Sequence, residues 1–153
     1  VTSIGVISDT HGLLRPEAAR LLAGVDLILH AGDIGSPDVI SALRAIAPVT
    51  AVRGNNDRDG WAARYPEDAV LEVGGHTLYM LHDLKELNLD PGTAGYDAVV
   101  AGHSHKPNIE RRDGVLYLNP GSAGPRRFTL PIALAMLDIS DGTLHPRIHE
   151  IDI

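Results

Sequence analysis

Three times within the first 57 residues, a short apolar run closes on a cluster of polar donor residues. Ser3-Ile4-Gly5-Val6-Ile7-Ser8 leads into Asp9-Thr10-His11-Gly12, Val25-Asp26-Leu27-Ile28-Leu29-His30 into Ala31-Gly32-Asp33, and Val49-Thr50-Ala51-Val52 into Arg53-Gly54-Asn55-Asn56-Asp57. Such runs read as buried strands. Helices fit between them. Pro16 suits the first turn of a helix over 16–23, where Ala18, Leu21 and Leu22 share one face and Gly24 stops the chain. Ser36-Pro37 opens a second helix with Val39, Leu43 and Ile46 as its buried stripe. Units of this kind bring strand ends together, and α/β sheets bind ligands at the carboxyl ends of their strands.

From Ala69 the period changes. Ala69–Val73 and His76–Leu81 flank Gly74-Gly75 and read as a β-hairpin whose second strand ends at His82-Asp83. Val99-Val100-Ala101-Gly102-His103-Ser104-His105 is another apolar run ending in donors, and residues i and i+2 of an extended chain point to one side. Leu84–Gly95 reads as a loop or short helix, as does Arg58–Tyr65. Arg111-Arg112-Asp113-Gly114 turns into a strand over Val115–Leu118, and Asn119-Pro120-Gly121-Ser122 is a tight turn whose amides could face a phosphate. Ile132–Ile139 and Thr143–Ile151 form the last strands around Asp141-Gly142. His30 reads as structural, His76 as an exposed tip, His145 and His149 as surface residues, and Trp61 as a core or lid anchor. Arg126 and Arg127 either clamp an anionic substrate or lie in solvent.

The strand-end donors are Asp9, His11, Asp33, Asn55, His82, His103 and His105. This oxygen and nitrogen set suits divalent Mn, Fe, Zn, Ni or Co, and it is about enough for two ions if one carboxylate bridges. The 153 residues contain no cysteine, which excludes disulfides, zinc–thiolate sites and a thiol nucleophile. A formal net charge of −7 makes a nucleic-acid polymer an unexpected partner. No run is long enough for a membrane span and no signal peptide is visible, so a single cytoplasmic domain over 1–153 is the expectation. Homo-oligomerisation is left open.

The ordered blocks Asp9-Thr10-His11, Gly32-Asp33, Gly54-Asn55-Asn56-Asp57, His82 and Gly102-His103-Ser104-His105 resemble the motifs of the calcineurin-like metallophosphoesterases. With Asn119-Pro120-Gly121-Ser122, the chain is most similar to their small single-domain branch, which includes phosphodiesterases and the retromer subunit of the same fold. The resemblance implies an α/β fold, a four-layer αββα sandwich of two mixed β-sheets flanked by helices. It implies that Asp9, His11, Asp33 and His105 hold one metal, manganese first, and that Asp33 bridges to a second held by Asn55, His82 and His103. It further implies a bridging hydroxide that attacks the phosphorus of a small phosphoester, with catalytic weight on Asp33 and His103. Asn56 stands where many members carry histidine, and it cannot be a general acid at neutral pH. Asp83 stands where glycine is common; it and Asp57 either support a neighbouring imidazole or face solvent. The alternative function is a non-catalytic protein-interaction scaffold, for which lost ligands would be the sign. No ligand block is missing here.

Overall fold

The computed structural model describes residues 1–153. Two mixed five-stranded sheets face each other. In the first, β1 (Thr2–Ile7), β2 (Leu27–His30) and β3 (Val49–Ala51) are parallel, and the antiparallel pair β9 (Ala133–Ser140) and β10 (Thr143–Glu150) extends the β1 side. In the second, β5 (His76–Leu81), β6 (Ala98–Val100) and β8 (Val115–Asn119) are parallel, flanked by the antiparallel edge strands β4 (Asp68–Val73) and β7 (Asn108–Arg112). The parallel strands of each sheet place their carboxyl ends at the same rim of the sandwich, where the donor residues lie.

Alternation along β1 explains the layering. Ile4 and Val6 point into the core between the sheets, against Leu29, Leu78, Val100, Leu116 and Leu137. Ile7 points outward to Leu22, Ile40 and Leu43 beneath α1 (Pro16–Leu22) and α2 (Pro37–Arg44). Complete burial of each such aliphatic side chain contributes about 1.5–3 kcal/mol. Ser36 caps α2 by accepting from the Asp38 amide, while α1 begins on Pro16 without a side-chain cap.

The helical layer over the second sheet is thin. Leu84–Glu86 is one 3₁₀ turn and α3 (Pro91–Ala94) is one turn of helix, because Pro91 and the left-handed Gly95 bracket it. Leu84, Leu87 and Tyr96 still cover part of that face, packing on Tyr79, Leu81 and Val99. Gly60–Arg64 is likewise a 3₁₀ turn, and Trp61 packs on the helical core edge-on to Tyr65.

Several expectations change. Asn108–Arg112 is an edge strand rather than the approach to a turn; its uniformly exposed, mostly polar residues give no apolar alternation to read. His76 is not a free tip: its Nε2 donates to the Gly142 carbonyl at 3.1 Å and its Nδ1 lies 3.5 Å from Asp97, so it links the hairpin of one sheet to the last turn of the other. His145 is exposed, but His149 is half-buried opposite Leu134.

Candidate metal centre

Asp9, His11 and His105 bring one donor atom each within 4.8 Å of one another, and Asp33, His82 and His103 do the same. The two groups adjoin. Asp9 Oδ1 lies 3.5 Å from His105 Nε2, 3.8 Å from His82 Nε2 and 3.9 Å from His11 Nε2. Asp33 Oδ2 lies 3.3 Å from His82 Nε2 and 3.8 Å from His11 Nε2, so this carboxylate faces both groups. Asn55 lines a cavity of about 130 Å³ with His82 and Asp83.

The loops that carry these donors are strained. Asp9, His11, Asp33, His103 and His105 all have φ between 47° and 70°. Asp and His enter this left-handed region more readily than most residues, yet each instance costs on the order of 1 kcal/mol or more. Backbone bonds between the loops hold the conformation: the His11 amide donates to the Asp33 carbonyl, Gly12 to Ile34, and Gly102 to His82. Close approach adds a second constraint. A Cβ on Gly54 would stand 2.1 Å from Asp33 Oδ1, and one on Gly102 would stand 2.1 Å from Ser8 Oγ and 2.7 Å from Asp9 Oδ2. Only glycine leaves room for the carboxylates there.

Asp9 has one oxygen tied down, Asp33 both. Asp9 Oδ2 accepts from Ser8 Oγ and the His103 amide, leaving Oδ1 buried without a hydrogen-bond partner. Asp33 Oδ1 accepts from the Asn56 amide and Oδ2 from Asn56 Nδ2. His82 Nδ1 donates to the Ala31 carbonyl at 2.7 Å, which aims its unprotonated nitrogen, Nε2 in the neutral ring, at the two carboxylates. That Nε2 is buried and unpartnered; its 3.3 Å approach to Asp33 is an ionic contact without hydrogen-bond alignment. An isolated buried carboxylate oxygen surrounded by imidazole nitrogens costs several kcal/mol unless something positive joins it. The donor set therefore fits divalent cations, with second ligand atoms already fixed by backbone groups.

The protonation of these groups shows the same pressure. Burial opposes the imidazolium of His82, but Asp33 and Asp9 overcome it and raise its pKa to about 9. Burial also opposes ionisation of Asp33, yet His82 and the Asn56 amide hold its carboxyl below the usual range. Burial raises Asp9, against the pull of His82. His105 is pushed down to about 4 by burial and then by Arg127. Bound cations would reverse this logic, favouring neutral imidazoles and ionised carboxylates.

Other residues find defined places. His30 is structural: the Gly32 amide donates to its Nδ1, its Nε2 donates to Thr10 Oγ1, and burial lowers its pKa to about 3. Thr10 in turn donates to the Ile34 carbonyl. Asp57 is buried and touches no imidazole donor; its carboxylate accepts from the amides of Ile34, Gly35 and Gly54, which staples the Asp33 loop to the Asn55 loop. Asp83 Oδ2 lies 3.7 Å from His103 Nε2. In the Asn119–Ser122 turn the Gly121 amide is already taken. Gly121 donates to Asn119 Oδ1, while Asn119 Nδ2 donates to the Gly102 carbonyl and Ser122 Oγ to the Asp9 carbonyl. It is a brace for the histidine and aspartate loops. Arg127 and Arg126 line a shallow cavity with His11 and His105, so both arginines border the centre. Sequence reasoning missed Ser8, the Ala31 carbonyl and this brace. Ser8 directly precedes Asp9 and was the one legible signal.

Two facing mixed sheets with paired Asp/His clusters at their common rim define the architecture of a metallophosphoesterase. Residues 3–142 match the model of the calcineurin-like phosphoesterase superfamily domain, and the chain belongs to that family. It is 36% identical over 145 residues to a probable metallophosphoesterase of Methanothermobacter thermautotrophicus, a match covering 87% of this chain and 84% of the relative. The solved structure of an archaeal phosphodiesterase superposes with a TM-score of 0.80 at 25% identity, covering 97% of this chain and 100% of that one. Vps29 of Chaetomium thermophilum shares the fold, with a TM-score of 0.79 at 19% identity over 99% of this chain and 97% of that one.

Proposed function

We propose that this chain is a phosphodiesterase that hydrolyses small phosphodiesters with two divalent cations, manganese the first choice, held by Asp9, His11, Asp33, Asn55, His82, His103 and His105. The observation that carries the reading is the buried, unpartnered Asp9 Oδ1 facing three imidazole nitrogens beside a carboxylate shared with the second cluster. Two cations in such a site lower the pKa of a water and offset negative charge on phosphate oxygens. The chain's own groups do the remaining work. Asn56 fixes the orientation of Asp33 through two hydrogen bonds and supplies no proton to a leaving group. Protonation of that group is left to water, which favours esters with stable alkoxide or phenolate leaving groups. Arg127 adds positive charge beside His105, suited to a phosphodiester anion. The complete donor set favours this enzyme over a scaffold role, for which lost ligands would be the sign.

The test is hydrolysis of bis(p-nitrophenyl) phosphate by protein loaded with Mn²⁺. Activity that disappears on chelation and in Asp33→Ala is expected. Activity that survives both contradicts the proposal.

A further inference from the structure

His103 is the most exposed of the four clustered histidines, with 42% of its side chain open to solvent against 23% for His11, 6% for His82 and 4% for His105. It borders a groove of about 720 Å³ that Asp83 also lines. Its backbone is fixed: the amide donates to Asp9 Oδ2, and φ is 70°. Its ring stands edge-on to that of His82, 5.2 Å between centroids, and its Nε2 faces Asp83 Oδ2 at 3.7 Å. That distance is an ionic approach rather than a hydrogen bond. The exposed ring has room to close it.

Asp83 holds its carboxylate still. Oδ1 accepts from the Lys85 amide at 3.0 Å and so caps the 3₁₀ turn Leu84–Glu86, while the Glu86 amide donates to the Asp83 carbonyl. Such a cap needs one side-chain oxygen, which Ser, Thr or Asn would supply as well. The second oxygen and the charge are surplus to the cap, and they face His103. A ligating imidazole gives one nitrogen to the ion and donates the N–H of the other to a carboxylate, a carbonyl or water. His82 does this through the Ala31 carbonyl, which takes Nδ1 and leaves Nε2 for the cluster. We propose that Asp83 does the same for His103: it is a positioning residue that accepts the Nε2 proton and presents Nδ1 to the open metal position. An acceptor at Nε2 selects the tautomer with Nδ1 unprotonated, stops the exposed ring from turning, and makes Nδ1 the better donor. Asp83 follows His82 directly, so one strand end supplies a donor of the second cluster and the support of another. The inference rests on the two-cation reading of the centre and not on the reaction performed there.

The experiment measures Mn²⁺ binding to the full chain by calorimetry, with free Mn²⁺ counted by electron paramagnetic resonance. Asp83→Asn keeps the cap and an acceptor for Nε2, and its second ion should stay within about threefold of the unsubstituted affinity. Asp83→Ser keeps the cap but is too short to reach His103, and should weaken the second ion by roughly tenfold or more, the loss typical of a removed ligand partner. In a His103→Ala background, Asp83→Ser should change that affinity by less than about twofold, because the partner it acts through is gone. Equal affinity in Asp83→Ser and the unsubstituted protein leaves Asp83 a cap and overturns the pairing. An undiminished loss in the His103→Ala background overturns it too, since Asp83 would then act on the ion directly. Nuclear magnetic resonance of Zn²⁺-loaded protein with ¹⁵N-labelled histidine gives a second readout: His103 should carry its proton on Nε2 and the metal on Nδ1, and a ligated Nε2 contradicts the pairing. Protein that takes up no second ion overturns the two-cation centre and the pairing together.

Discussion

The two donor clusters share a rim but differ in their access to solvent. In the first, the Asp9 and His105 side chains are 0% and 4% exposed, and only the edge of His11 reaches water. In the second, Asp33 and His82 are as deeply set, but the His103 side chain is 42% exposed and borders the large groove. Both clusters are built by loops locked to one another, with left-handed residues in each and glycines where no Cβ fits, and the contrast between them lies in exposure. The second is open to solvent at His103. Asp33, facing both, is the point at which the two are joined.

The largest effect should come from breaking that joint. Asp33→Ala removes the carboxylate both clusters use, and should abolish diester hydrolysis and leave less than one tightly held ion per chain by elemental analysis. Gly54→Ala should do nearly the same, since its Cβ would meet Asp33 Oδ1 at 2.1 Å; the readout is lost metal with the secondary structure retained. Single histidine changes separate the clusters. His105→Ala should weaken the enclosed ion and His103→Ala the open one, each by at least ~100-fold in affinity, beyond what loss of an outer partner causes. If either change released both ions equally, the clusters would not be distinct.

A smaller effect should come from the staple. Asp57 accepts three backbone amides from two loops while burying its charge. Asp57→Ala should cost roughly 2–3 kcal/mol, by analogy with hydrogen bonds to charged groups. That corresponds to a fall in Tm of several degrees, read by thermal denaturation. The smallest concerns protons. In metal-free protein the His82 pKa is raised from 6.5 to about 9, so its ionic contribution is complete below 6.5 and lost as pH rises through about 9. The Tm of metal-free protein should therefore decline over that window, and His82→Ala should remove the decline. Saturating metal should remove it too, because the bound imidazole is already neutral.

Much of this was legible in the sequence because periodicity and chemistry agreed. The apolar runs ending at Asp9, Asp33, Asn55, His82 and His103 are strands ending at one rim, as the repeated pattern implies. Glycine and proline punctuation located the helices and the Asp141-Gly142 turn. What escaped has physical reasons. The polar edge strand Asn108–Arg112 has no buried face to impose alternation. His76 looks free at a hairpin tip, because its partner Gly142 lies 66 residues away in the other sheet. The Asn119–Ser122 turn resembles a phosphate loop locally, yet its Gly121 amide is taken by Asn119 Oδ1 and its side chains brace distant backbone. Non-local partners of this kind leave no mark on the segments that need them.

The proposed pair of metal positions, one enclosed and one open, shares Asp33. Anomalous diffraction from crystals grown with Mn²⁺ tests it most directly. Two peaks roughly 3.5–4 Å apart are predicted, the usual spacing of a two-metal hydrolytic site. One should lie among Asp9, His11, Asp33 and His105, and the other among Asp33, Asn55, His82 and His103. The first should vanish in His105→Ala and the second in His103→Ala. A single peak, or two peaks not bridged by Asp33, would contradict the account.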